Sequence, residues 1–148
     1  MSLKDRLLSE LKQSMKDKDA IKKSSITMVR AAILQIEKDK KMELNNDDII
    51  EVIAKQVKQR RDALHEFEKA NRIDLIEQTK KEIDVLTKYL PQQLSENEID
   101  QIVTDTINDI GANSMKDMGK VMSALMPKVK GKADGALVSK YVKQHLQG

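Results

Sequence analysis

Cysteine and tryptophan are absent from this 148-residue chain. Without cysteine there are no disulfides, no thiolate metal sites and no cysteine nucleophiles, as befits a reducing compartment. His65 and His145 are the only histidines, which excludes a multi-histidine metal site. Aromatic residues are reduced to Phe67, Tyr89 and Tyr141, 2% of the chain, a poor composition for a β-sandwich. No apolar run approaches the roughly 18 residues that a membrane span requires. Residues 1–10 carry charges where a secretory signal has its apolar stretch. On these grounds the protein is expected to avoid membranes and to stay in the cytoplasm.

Glycine and proline are scarce in an informative way. All five glycines, 111, 119, 131, 135 and 148, lie beyond residue 110, so nothing of that kind interrupts helices in the first two-thirds. Pro91, in the stretch Tyr89-Leu90-Pro91-Gln92-Gln93-Leu94-Ser95, follows a helical pattern and precedes a fresh helix start. A boundary is expected near residues 90–94, dividing the chain into a helical domain 1–92 and a second one 93–148.

What remains is 39% apolar and 34% charged, the balance of an all-α protein. Leu3, Leu7, Leu8, Leu11 and Met15 recur at helical spacing after Ser2; Ile21, Met28, Val29, Ala32, Ile33 and Ile36 do so after Asp19. Asn45, Asn46 and Asp47 offer cap chemistry before Ile50, Ile53, Val57, Leu64 and Phe67, and a fourth stripe runs from Ile73 to Leu90. In the second segment Ser95 and Glu98 have the spacing of a capping box, opening a stripe from Ile99 to Ile110 that Gly111 closes. Ser114 and Asp117 start a short helix that Pro127 should stop, with Gly119 admitting a close helix approach. A last helix begins at Asp134 and buries Leu137, Val138, Tyr141, Val142 and Leu146. Four helices and then three are expected, the latter too short to stand alone.

The formal charge of +3 hides a segregation. Residues 94–109 carry five acids and no base, whereas 110–148 carry seven lysines against Asp117 and Asp134, an excess of five. Lys128, Lys130 and Lys132 surround Gly131 just before a helix start, and backbone amides with mobile lysines suit phosphate oxygens. The plain alternative is a solvated loop capped by Asp134, whose carboxylate would occupy the amides a phosphate wants. A nucleotide P-loop is excluded, because Met126 stands where its first glycine belongs and Ala133 where Ser or Thr is required.

Lys55, Lys58, Arg60, Arg61 and Arg72 form a second basic group. One of Arg60 and Arg61 must sit at the core edge, where pairing with Glu82 or Asp84 competes with a polynucleotide contact. Asp47, Asp48, Glu66 and Glu68 read as helix-start and surface acids, and Met118, Met122 and Met126 as core filler or an adaptable partner surface. No nucleophile with a base, no oxyanion device and no metal cluster is present in the pattern, so no catalytic residue, metal or cofactor is assigned.

The ordered set Gln59-Arg60-Arg61-Asp62, Phe67-Glu68-Lys69-Ala70-Asn71-Arg72, Asp74-Leu75, Tyr89-Leu90-Pro91-Gln92-Gln93-Leu94, Met118-Gly119-Lys120-Val121-Met122 and Gly131-Lys132-Ala133-Asp134-Gly135 resembles the bacterial YqeY proteins along essentially the whole chain. That family is similar to the C-terminal tail of GatB, the tRNA-amidotransferase subunit that carries the amidation site; GatB tails usually have Asn where Asp134 stands. The resemblance implies a GatB/YqeY tail-like second domain and affinity for tRNA through Lys116, Lys120, Lys128, Lys130, Gly131, Lys132 and Lys140, with Arg61 and Arg72 as further contacts. The alternative function is a protein-interaction adaptor, in which the Met-bearing helix or the hinge docks on a synthetase or amidotransferase. The family's label as a carbon–nitrogen ligase with glutamine as amide donor is not carried over, since the GatB active site lies in a domain this chain lacks.

Overall fold

The computed structural model describes residues 2–147, and among them it contains helices and no strand. In chain order these are α1 Leu3–Lys16, α2 Ala20–Lys40, α3 Asn46–Lys69, α4 Ile73–Thr87, α5 Glu96–Ile110, α6 Met118–Val129 and α7 Gly135–Gln147, with a 3-10 turn at Met115–Asp117. The chain divides into two compact units, one ending at Leu90 and the other beginning at Pro91.

Local chemistry starts the helices of the first unit. Ser2 accepts from the Asp5 amide, Asp19 from the Lys22 amide, and Asn45 and Asp48 exchange both bonds of a capping box. Each such cap is worth about 1 kcal/mol. The turns have no glycine, and Lys18, Lys41 and Asn71 adopt the left-handed region in its stead, at φ 57°, 52° and 54°. α2 packs against α1, α3 and α4, burying Ile26, Val29 and Ile33 against Leu7, Leu11, Ile49, Ile53, Val57 and Leu86. Met15, Met28 and Ile73 belong to the apolar stripes yet lie 50%, 52% and 68% exposed. Met15 and Ile73 stand at helix ends, where fewer neighbours can cover them. The fourth stripe also outlasts its helix: α4 ends at Thr87, and Tyr89 and Leu90 pack from the following turn.

Arg60 is the core-edge arginine. It is 8% exposed, its Nε lies 3.6 Å from a Glu82 carboxylate oxygen, and its Nη1 donates to the backbone and side-chain oxygens of Gln56, both at 3.3 Å. Pairing with Glu82 is therefore the role of this residue, and the competing polynucleotide contact is not available to it.

In the second unit Ser95 and Glu98 complete a capping box, and Gly111, at φ 75°, closes α5 by donating its amide to Ile107. α5, α6 and α7 pack pairwise around Ile99, Val103, Val121, Leu125, Val129, Val138, Val142 and Leu146. Two expectations are corrected. α6 runs through Pro127 to Val129, because the ring lies on the exposed face and the carbonyl deprived of its donor belongs to exposed Ser123. Gly119 is also exposed, and a Cβ there would meet nothing within 4 Å, so it mediates no close packing inside the unit. The start of α6 differs in detail too: Ser114 makes no cap bond, and Asp117 instead accepts from the Asn113 amide at 3.2 Å.

Candidate nucleic-acid interface

Helical geometry partitions the charges of the second unit. α5 carries Glu96, Glu98, Asp100, Asp105 and Asp109, whereas all seven lysines fall on the 3-10 turn, α6, the loop behind it and α7. Seven acids balance the seven lysines from residue 91 onward, so the formal +3 of the chain resides in residues 1–90. The second unit is not a net-positive body; it has one acidic helix and a basic remainder.

The loop around Gly131 is tightly bonded. Gly131 is left-handed at φ 73°, and Lys132 and Ala133 donate their amides to the Val129 carbonyl at 2.8 and 3.1 Å. From the start of the unit, the Gln93 side-chain amide donates to the carbonyls of Pro91 at 2.9 Å and Gly131 at 2.7 Å, while the Leu94 amide donates to the Lys132 carbonyl at 2.9 Å. These bonds tie the basic loop to the start of the unit and satisfy the Val129 carbonyl left at the end of α6.

Lys128, Lys130 and Lys132 are brought together by the last turn of α6 and this loop, and all three are exposed. Their side chains do not act as one set: the Lys128 ammonium turns back to donate to the buried Thr106 hydroxyl on α5 at 3.0 Å. Lys116 and Lys120 are exposed one turn apart at the other end of α6, about 12 Å from Lys128 in the case of Lys120 at 1.5 Å rise per residue. Lys140 stands on α7 away from the face that buries Val138 and Val142. The helix-start amides are not vacant, because Asp134 accepts from the Ala136 amide at 2.9 Å and its carbonyl accepts from Leu137 and Val138. Any polyanion contact here rests on the ammonium groups.

Arg61 and Arg72 belong to the first unit. Arg61 is half-buried on α3; Arg72 is exposed just before α4, with its Nε 3.6 Å from Asp74. Three structural residues escaped the sequence reading: Gln93, Thr106 and the partner of His145, whose Nε2 lies 2.6 Å from Asp100 on α5. Gln93 did carry a signal, since it stands in one of the resemblance motifs. Of the methionines, Met118 and Met122 pack on the core, while Met126 is 45% exposed. Among the described residues no group of three potential metal ligands converges, and no helix is long and apolar enough to cross a membrane.

The family model described as Yqey-like protein matches residues 4–146. The chain belongs to the YqeY-like family. Among its relatives is the "Altered inheritance of mitochondria protein 41, mitochondrial" of Pyrenophora tritici-repentis, 30% identical over 94% of this chain and 78% of that protein. The Candida glabrata protein of the same name is 38% identical over 58% of this chain and 48% of its own length. A glutamyl-tRNA(Gln) amidotransferase subunit of Saccharolobus solfataricus is 35% identical over 66 residues, 43% of this chain and 10% of that protein. The YqeY-like chain thus spans most of the first relative, about half of the second and a tenth of the third. The mitochondrial designation of the fungal relatives overturns the cytoplasmic placement. Lack of cysteine and of spans suits any reducing aqueous compartment, so composition never distinguished the two.

Proposed function

We propose that the second unit of this YqeY-like protein is a tRNA-directed binding module that meets backbone phosphates through its lysines. One observation carries the reading: Lys116, Lys120, Lys132 and Lys140 are exposed and, among the described residues, have no carboxylate partner. Five of the unit's acids are confined to α5, away from them along the chain. The likeness to part of a protein whose name refers to tRNA(Gln) supports the same reading. Recognition is of shape and phosphate position, because Tyr141 is the unit's one aromatic residue. No reaction is assigned to the chain.

The test is tRNA binding as a function of salt. Three or four phosphate contacts give a log–log slope of about −2 to −4. Replacing Lys116, Lys120, Lys132 and Lys140 together by Ala should flatten that slope by about 3; an unchanged slope removes the assignment.

A second reading has an observation of its own. Met115 and Met126 are 38% and 45% exposed on either side of Gly119, whose open Cβ position suits a docking helix. In this reading α6 is an adaptor surface for a synthetase or amidotransferase. Co-purification that survives nuclease and high salt but is lost in Gly119→Leu favours it over RNA binding.

A further inference from the structure

Gln59 and Arg60 of the motif Gln59-Arg60-Arg61-Asp62 and the lone phenylalanine, Phe67, have no part in the proposed function, yet they converge on one feature of the first unit. A cleft of about 340 Å³ opens there between α3 and α4, bordered by Met28 of α2. That volume is at the small end of the roughly 300–1,000 Å³ typical of small-molecule sites.

Its walls are apolar where they are broad. Met28, Ala63, Phe67 and Leu75 line it, providing flat contact for a ring. Its polar groups are neutral or mutually neutralised. Arg60 and Glu82 lie together at 3.6 Å, and the buried Arg60 Nε has no hydrogen-bond partner within the protein. Gln59 and Gln78, both exposed, and Thr79 complete the lining, and among the described residues none of these three side chains is hydrogen-bonded.

An anion is a poor match, since the Glu82 carboxylate already balances the guanidinium and would repel a second one. A purely apolar ligand is also a poor match, because it would cover the two glutamine amides without giving them partners. We infer that this cleft is a binding site for an uncharged planar group that carries a carbonyl and an N–H side by side, as a carboxamide or the edge of a nucleobase does. The carbonyl takes a donor from a glutamine amide, the N–H is accepted by Glu82 or a glutamine oxygen, and the ring lies against Phe67 and Leu75. This site is independent of the lysines of the second unit.

The experiment is an NMR titration of the full chain, following the methyl signals of Met28, Ala63 and Leu75. The probes are benzamide, its charged isostere benzoate, and uridine. Benzamide or uridine should shift these signals saturably at concentrations on the order of millimolar, with benzoate at least about tenfold weaker. Saturation by benzamide alone identifies a carboxamide site, and saturation by uridine a site for nucleobases. The double variant Gln59→Ala/Gln78→Ala changes two exposed side chains and should fold; it should weaken binding about fivefold or more. Equal binding of benzoate, no shift confined to these methyls, or full affinity in the double variant overturns the inference.

Discussion

The Gln93 side-chain amide joins the carbonyls of Pro91 and Gly131, residues forty apart in sequence, at 2.9 and 2.7 Å. It is half-buried, so replacing it by Ala leaves two carbonyls short of a donor. Gln93→Ala should cost about 1–2 kcal/mol in urea denaturation. The accompanying sign is faster amide hydrogen exchange at Lys132 and Ala133, with α5 little affected. Unchanged exchange there would show that the loop holds its shape without the bridge.

Arg60 and Glu82 have side chains 10% and 21% exposed. Glu82→Ala leaves the guanidinium without its counter-charge and should cost about 2–3 kcal/mol, below the 3–5 of a fully buried pair because water reaches Glu82. Adding Arg60→Met removes the stranded charge, and the double variant should recover part of the loss. Denaturant titrations of the single and double variants decide this; a double variant as unstable as the sum of its parts would contradict it.

Glu37 links three segments of the first unit: it pairs with Lys4 of α1 and accepts the Leu44 amide at 2.8 Å. The Lys4 ammonium, and after it the Leu44 amide, hold its pKa below the ordinary 4.5. A carboxylate whose folded pKa is depressed stabilises the fold fully above the unfolded value and loses that contribution as pH falls through the folded one. Stability should therefore decline on acidification below about pH 4.5. Glu37→Gln, less stable at neutral pH, should show a shallower decline over the same interval when unfolding is followed by circular dichroism.

Lys41 closes α2 at φ 52° and ψ 45°, a conformation that suits glycine. Lys41→Gly removes the Cβ penalty and should stabilise the protein by about 0.5–1 kcal/mol after the loss of backbone freedom is counted. Lys41→Ala keeps the penalty and should bring no such gain. Thermal melts of the two variants side by side make the comparison.

Local chemistry was readable from the residues. The caps at Ser2, Asp19, Asn45, Ser95 and Gly111 involve neighbours three or four positions away, so spacing alone reveals them. Pro127 misled because its effect depends on which way the helix faces, and that is set by packing against α5 and α7. The lysine block was visible as composition, but composition is silent on the single bonds that aim each group. Thr106, twenty-two positions before Lys128, redirects one ammonium, and Asp134 fills an amide that a phosphate would have used. Gln93 shows the same limit: its partner across the unit is a backbone carbonyl, which has no residue identity to read.

The even count of positive and negative side chains in the second unit, with five of its seven acids on one helix, has an effect on how that unit meets another molecule. A body with zero total charge but separated poles feels little pull from a distant polyanion; nearby, the field turns it before it draws it in. Encounter would then depend on orientation more than on capture range, and most chance collisions with the wrong side would end in separation. Such a unit would ignore the bulk of the cell's polyanions and respond to those that another contact has already brought near.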